Sequence, residues 1–114
     1  MEVRCIKAKL KKNSLDQVKE WFSILRTRKD EVLETLKKEN IFVESAFLDK
    51  INDDDYLIYY IKSPDISHAL NVFKNSQLAI DNFYKENWNQ FCEEIEVLDP
   101  LLDLDLLTIN SNEK

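Results

Sequence analysis

Glycine is absent from all 114 residues, against an ordinary usage of roughly 7%. A Walker phosphate loop, a dinucleotide-binding G-x-G-x-x-G and a G-x-S-x-G nucleophile elbow all need glycine for close backbone approach or a tight turn. The sequence excludes all three. Cysteine and histidine are nearly as scarce: Cys5 and Cys92 lie far apart without C-x-x-C spacing, and His68 is the single imidazole. No zinc set of the usual kind can be built from them, and with no cofactor signature elsewhere, neither metal nor cofactor is expected. Long hydrophobic runs are missing too. No stretch approaches the ~18 apolar residues of a membrane span, and the opening MEVRCIKAKLKK is too polar for the apolar region of a signal peptide. The expected setting is a reducing cytoplasm with both thiols free and no membrane contact.

What is present is organised around residues 41–62, IFVESAFLDKINDDDYLIYYIK, where two apolar runs flank an Asn/Asp-rich segment and predict a β-hairpin. Side chains alternate faces along a strand. In the first run Phe42, Glu44, Ala46 and Leu48 oppose Val43, Ser45 and Phe47; in the second, Tyr56, Ile58 and Tyr60 oppose Leu57, Tyr59 and Ile61. Both faces are largely apolar, so both need cover. The turn, residues 52–55, relies on Asn and Asp for positive φ. Its three aspartates do not make a calcium loop, which requires an invariant glycine and a closing glutamate.

The remaining chain supplies partners for this hairpin. Residues 2–10 read as a strand with Val3 and Cys5 on one face and Arg4, Ile6, Ala8 and Leu10 on the other. Ser14 through Gln17 form a capping box, opening a helix over residues 15–38 whose stripe runs Leu15, Val18, Trp21, Phe22, Leu25 and resumes at Val32, Leu33 and Leu36. A break near residues 27–30 is compatible with the polar gap there. Ser63 and Pro64 predict the next helix start, followed by an apolar face of Ile66, Ala69, Leu70 and Phe73. A further helical segment over residues 80–94 carries Ile80, Phe83, Tyr84, Trp88, Phe91 and Ile95. Residues 96–107 alternate leucine with aspartate and predict a last, one-sided edge strand that tolerates Pro100; a terminal acidic arm that folds onto a partner fits the segment equally well.

A β, α, β, β, α, β order predicts an α+β, ferredoxin-like plan, a four-stranded antiparallel sheet with helices on one face. Residues 1–107 form the expected single domain and residues 108–114 a polar tail. The uncovered sheet face then needs a partner: about six large side chains there are worth on the order of 10 kcal/mol if buried. A second copy placed sheet to sheet, as in a dimeric α/β barrel, meets that need with one self-complementary surface. Charge points the same way. The net charge of −6 divides into +4 over residues 1–40 and −10 over residues 41–114, and an acidic whole disfavours nucleic acid. The one basic cluster, Arg26, Arg28 and Lys29, is followed by Asp30, Glu31 and Glu34 and reads as a solvated helix face laced with ion pairs.

The strand EVRCIKAKL, the helical Glu31-Val32-Leu33-Glu34-Thr35-Leu36, the segment Glu44 to Asp49, the strand Asp55 to Tyr60, and Ile80-Asp81 followed by Trp88 together resemble a small bacterial family of uncharacterised domains. The resemblance covers residues 1–107. It implies the dimeric α/β barrel group, whose members include cofactor-free monooxygenases. In that family's pattern a His-Pro pair precedes Ile-Asp and another histidine follows three residues after the aspartate; here Leu78, Ala79 and Tyr84 hold those places. A histidine acid/base is therefore not expected, and a tyrosine near pKa 10 is a poor base at neutral pH.

Arg4, Glu44, Tyr60, Tyr84 and Trp88 are the candidate ligand-binding residues, polar groups on otherwise apolar faces. Glu44 shares a face with Phe42, Ala46 and Leu48 and needs a partner or a raised pKa there, whereas His68 stands beside its helix stripe and is expected at the surface. Three function classes follow: a homodimer binding a small, partly apolar molecule between sheet and helices; a cofactor-independent oxygenase or isomerase in the same pocket; and a protein-interaction module with no pocket.

Overall fold

The computed structural model describes residues 1–107; the expected polar tail, residues 108–114, lies outside the described residues. The chain runs β1 (Glu2–Leu10), α1 (Leu15–Thr27), α2 (Lys29–Glu39), β2 (Val43–Ile51), β3 (Asp54–Ser63), α3 (Ile66–Asn75), α4 (Ala79–Phe91) and β4 (Cys92–Val97). The strands form one antiparallel sheet in the order β2-β3-β1-β4. Each connection on the helical side carries two helices. The expected long helix divides at Arg28, whose backbone leaves helical geometry at φ −103°, ψ 33°.

Three residues take positive φ among those described, and all three are asparagine: Asn13, Asn40 and Asn52, at 62°, 59° and 57°. Asparagine tolerates the left-handed region better than other residues with a Cβ, so this chain uses it where others use glycine. Asn52 turns the hairpin, in which Ile51 pairs with Asp54. Asn40 ends α2: its N–H bonds Lys37 O at 3.1 Å and the Ile41 N–H bonds Leu36 O at 2.9 Å, the paired bonds of a Schellman ending.

The core lies between the helices and the sheet face bearing Ala8, Leu10 and Leu57, with Val18, Trp21, Leu25, Ile80, Tyr84 and Phe91 packed from the helical side. Burying side chains such as Leu57 and Val18 contributes ~1.5–3 kcal/mol each. The helices cover only part of the hairpin. Towards its tip Phe47 and Leu48, on opposite faces, are both exposed, so the double cover expected there is missing among the described residues.

Four local expectations are corrected. Ser14 precedes α1 but makes no capping bond; its hydroxyl donates to Lys11 O at 2.7 Å instead. The α3 cap is Asp65, whose carboxylate accepts the His68 N–H at 3.0 Å, because Ser63 is still the last residue of β3 and its hydroxyl donates to Asn40 O. In α2 the inward line is Val32, Thr35, Leu36 and Glu39, with Leu33 turned outward. Finally, β4 ends at Val97. Residues 98–107 run on as an irregular arm whose Asp103 and Asp105 grip Lys62 Nζ at 2.6 and 2.5 Å.

His68 is exposed, as its position beside the helix stripe predicts. Both cysteines are free thiols. Arg28 pairs with Glu31 and Lys37 with Glu34 on the solvated helix face. No helix among the described residues is long and apolar enough to cross a membrane.

Candidate functional site

A cavity of about 290 Å³ opens between the sheet and α2, α3 and α4. Strand register builds its floor. Glu44 of β2 and Arg4 of β1 both pair with Ile61 of β3, so the three side chains stand in one row across the inner face. Arg4 and Glu44 are two strand spacings apart, roughly 10 Å. The next row holds Tyr59 and Ile6, and Ile95 and Val97 of β4 form the rim. The roof is apolar over α3, with Ala69, Leu70 and Phe73.

Helix spacing places the polar groups. On α4, Asp81, Tyr84 and Trp88 recur at i, i+3 and i+7 and so share one face; on α2, Thr35 and Glu39 recur at i and i+4. All five line the cavity. Trp88 stands edge-on to Tyr59 with ring centroids 5.5 Å apart, and Phe73 edge-on to Tyr84 at 6.1 Å. The Tyr84 hydroxyl donates to Glu44 at 2.9 Å. Thr35 Oγ1 lies 2.7 Å from both oxygens of Asp81, and Ser76 Oγ donates to the same carboxylate. Glu39 is only 3% exposed, yet no described residue donates a hydrogen bond to its carboxyl group.

The surroundings favour the neutral forms of Glu39, Glu44 and Tyr84. Burial, followed by the nearby Asp81 and Glu44, pushes Glu39 up to about 8. Burial likewise pushes Glu44 to about 7, the Tyr84 hydrogen bond opposing it. Tyr84 is raised well above its usual value by burial and then by Glu44, and so remains a donor. The site thus contains a carboxyl held by a phenol donor, and a second carboxyl with spare hydrogen-bonding capacity.

A family model matches residues 1–114. The chain belongs to the family of unknown function DUF6176. No curated protein matches it. Membership of DUF6176 assigns no chemistry, so the reading of the site rests on its geometry.

Of the five sequence candidates, Arg4, Glu44, Tyr84 and Trp88 line this cavity. Tyr60 does not. It pairs with Cys5 and Ser45 and therefore points to the opposite face from its neighbours Tyr59 and Ile61. Sequence reading missed Thr35, Glu39 and Asp81. Their signal was spacing: Glu39 continues the line of Val32 and Leu36, and Asp81 lies one helical turn before Tyr84.

Proposed function

We propose that this chain forms a homodimer and binds a small, partly apolar molecule in the cavity between its sheet and helices. The observation that carries this reading is the cavity itself: largely apolar walls, with a few convergent polar groups and carboxyls of raised pKa, are the usual marks of a binding site. An interaction module with no pocket has no use for such a space.

The ferredoxin-like plan and the dimeric barrel belong to the same proposal. The strand order β2-β3-β1-β4, with helices between β1 and β2 and between β3 and β4, supports the first. An outer sheet face carrying Val43, Phe47, Ile58 and Tyr60, with Phe47 58% exposed, supports the second, since a two-fold partner covers such a face with its own copy. A cytoplasmic setting completes the reading, in keeping with the two free thiols.

One observation favours a second reading, a cofactor-independent isomerase or oxygenase. Glu44 titrates near neutrality while bonded to Tyr84, which suits general acid–base work. One experiment separates the possibilities. Native mass spectrometry of gently purified protein is expected to show a mass near twice the 13.6 kDa chain plus a retained molecule. Incubated with fresh protein, that molecule returns unchanged if the site only binds it and is converted if the site is catalytic. A bare monomer with no retained mass overturns both readings in favour of an interaction module.

A further inference from the structure

Asp81, Glu44 and Glu39 bring three carboxyl groups, from α4, β2 and α2, to one wall of the cavity. The donors that meet them are few. Thr35 and Ser76 serve Asp81, and Tyr84 serves Glu44. Glu39, 97% removed from solvent and lining the cavity, receives none from the described residues. It is also the last residue of α2, where the helix dipole presents its negative end and favours a cation. What this wall has in excess is acceptors, and what it lacks is positive charge.

Arg4 does not supply that charge. It stands beyond Ile61 from Glu44, roughly two strand spacings away, and among the described residues it forms no ion pair. The same cavity is lined by the rings of Tyr59, Trp88 and Phe73. Aromatic walls of this kind attract organic cations as well as apolar groups.

We infer that the ligand is a compact organic amine, its ammonium group seated between Glu39 and Glu44 and its apolar body lying along Tyr59, Trp88 and Phe73. An ammonium brings three N–H donors and no acceptor, which matches the deficit of the wall. This inference rests on the reading of the cavity as a binding site and names the ligand class. Binding is non-covalent and is coupled to protons: the bound cation favours the carboxylate form of Glu39, whose proton passes to solvent. The charged and titratable groups that line the cavity with Glu39 are Asp81 and Tyr84 from α4, Glu44 from β2 and, at the far end, Arg4 from β1, while the part of α3 at the cavity is apolar.

The test uses three matched probes, 2-phenylethylamine, 2-phenylethanol and 3-phenylpropanoate, in calorimetry and thermal melts of the full chain. The amine is expected to bind at least tenfold more tightly than the alcohol and to release protons at pH 7, read as a dependence of the heat on the ionisation enthalpy of the buffer. Glu39→Gln is expected to weaken the amine at least tenfold and to leave the alcohol unchanged. If Glu39→Gln fails to fold, Glu44→Gln carries the same comparison. Equal or tighter binding of the alcohol or the carboxylate overturns the amine assignment and leaves the binding site standing, with Arg4 as the anchor in the carboxylate case. Failure of all three to bind or to shift the melt at millimolar concentration overturns the amine and the cavity reading together.

Discussion

Burial disfavours a carboxylate far more than a carboxylic acid, and Glu39 and Glu44 both sit where that difference counts. A folded-state pKa above the unfolded one means that the native chain holds extra protons between the two values, so stability falls as pH rises through that window. For Glu39 the window runs from its ordinary 4.5 to about 8, and for Glu44 from 4.5 to about 7. Thermal or urea unfolding is therefore expected to show a loss on the order of 6 kcal/mol between pH 5 and pH 8 if both windows act in full, and Glu39→Gln to flatten the upper part of that slope. Parallel pH profiles for the variant and the parent would refute the assignment of a buried, neutral Glu39. Glu44 was legible in the sequence because it interrupts an apolar strand face. Glu39 was not: in a charged, exposed-looking stretch such as Leu36-Lys37-Lys38-Glu39-Asn40, only the helical phase, which a break at Arg28 resets, shows which acidic group turns inward.

Strands and helices are placed by a chain that has no glycine, and the consequences are concentrated at Asn40. Its left-handed backbone closes α2, and its carbonyl accepts the hydroxyl proton of the fully buried Ser63. The end of α2 is thus tied to the end of β3, with Glu39 set at the cavity. A residue with an ordinary side chain pays about 1–2 kcal/mol for that conformation, whereas glycine does not. Asn40→Ala is expected to lower stability by about 1–2 kcal/mol in chemical denaturation and Asn40→Gly to leave it near the parent value; equal stability of Ala and Gly at this site would sink the account. Element types were legible from periodicity, and the hairpin best of all, since its two runs pair over their whole length. The strand expected at the arm came from Leu102, Asp103, Leu104, Asp105 and Leu106, which alternate as a half-buried strand does, a pattern that an acidic arm shares. The pattern has another cause: both aspartates turn towards Lys62, 41 and 43 positions earlier, and no local signal in the sequence reveals that contact.

That clamp links the arm to the outer sheet face. Lys62 follows the inward-facing Ile61 and so points outward, where Val3 and Val43 are its strand partners. Its side chain is only 3% exposed, and its hydrogen bonds to Asp103 and Asp105 raise its pKa well above the usual lysine range. With its aspartates turned in, the arm holds Leu101, Leu102, Leu104 and Leu106 almost fully in water, at 77–98% exposure. Phe47, Ile58 and Tyr60 lie further along the same outer face that Lys62 belongs to. Exposed apolar surface on this scale marks an interaction site, and a second copy offers both a matching face and a matching arm. The proposed dimer is therefore expected to depend on both features. Analytical ultracentrifugation should show a concentration-dependent dimer for the parent chain, a monomer for Phe47→Glu, which places charge on the apolar outer face, and a weakened dimer for Lys62→Met, which releases the arm but keeps the sheet face apolar. A dimer unchanged by Lys62→Met would remove the arm from the interface, and one unchanged by Phe47→Glu would remove the sheet face. High salt adds a further discrimination: the Lys62 pairs are largely shielded from solvent and so resist screening, so a contact made by the leucines that these pairs hold in place should survive 1 M salt, whereas one built on exposed charges should not.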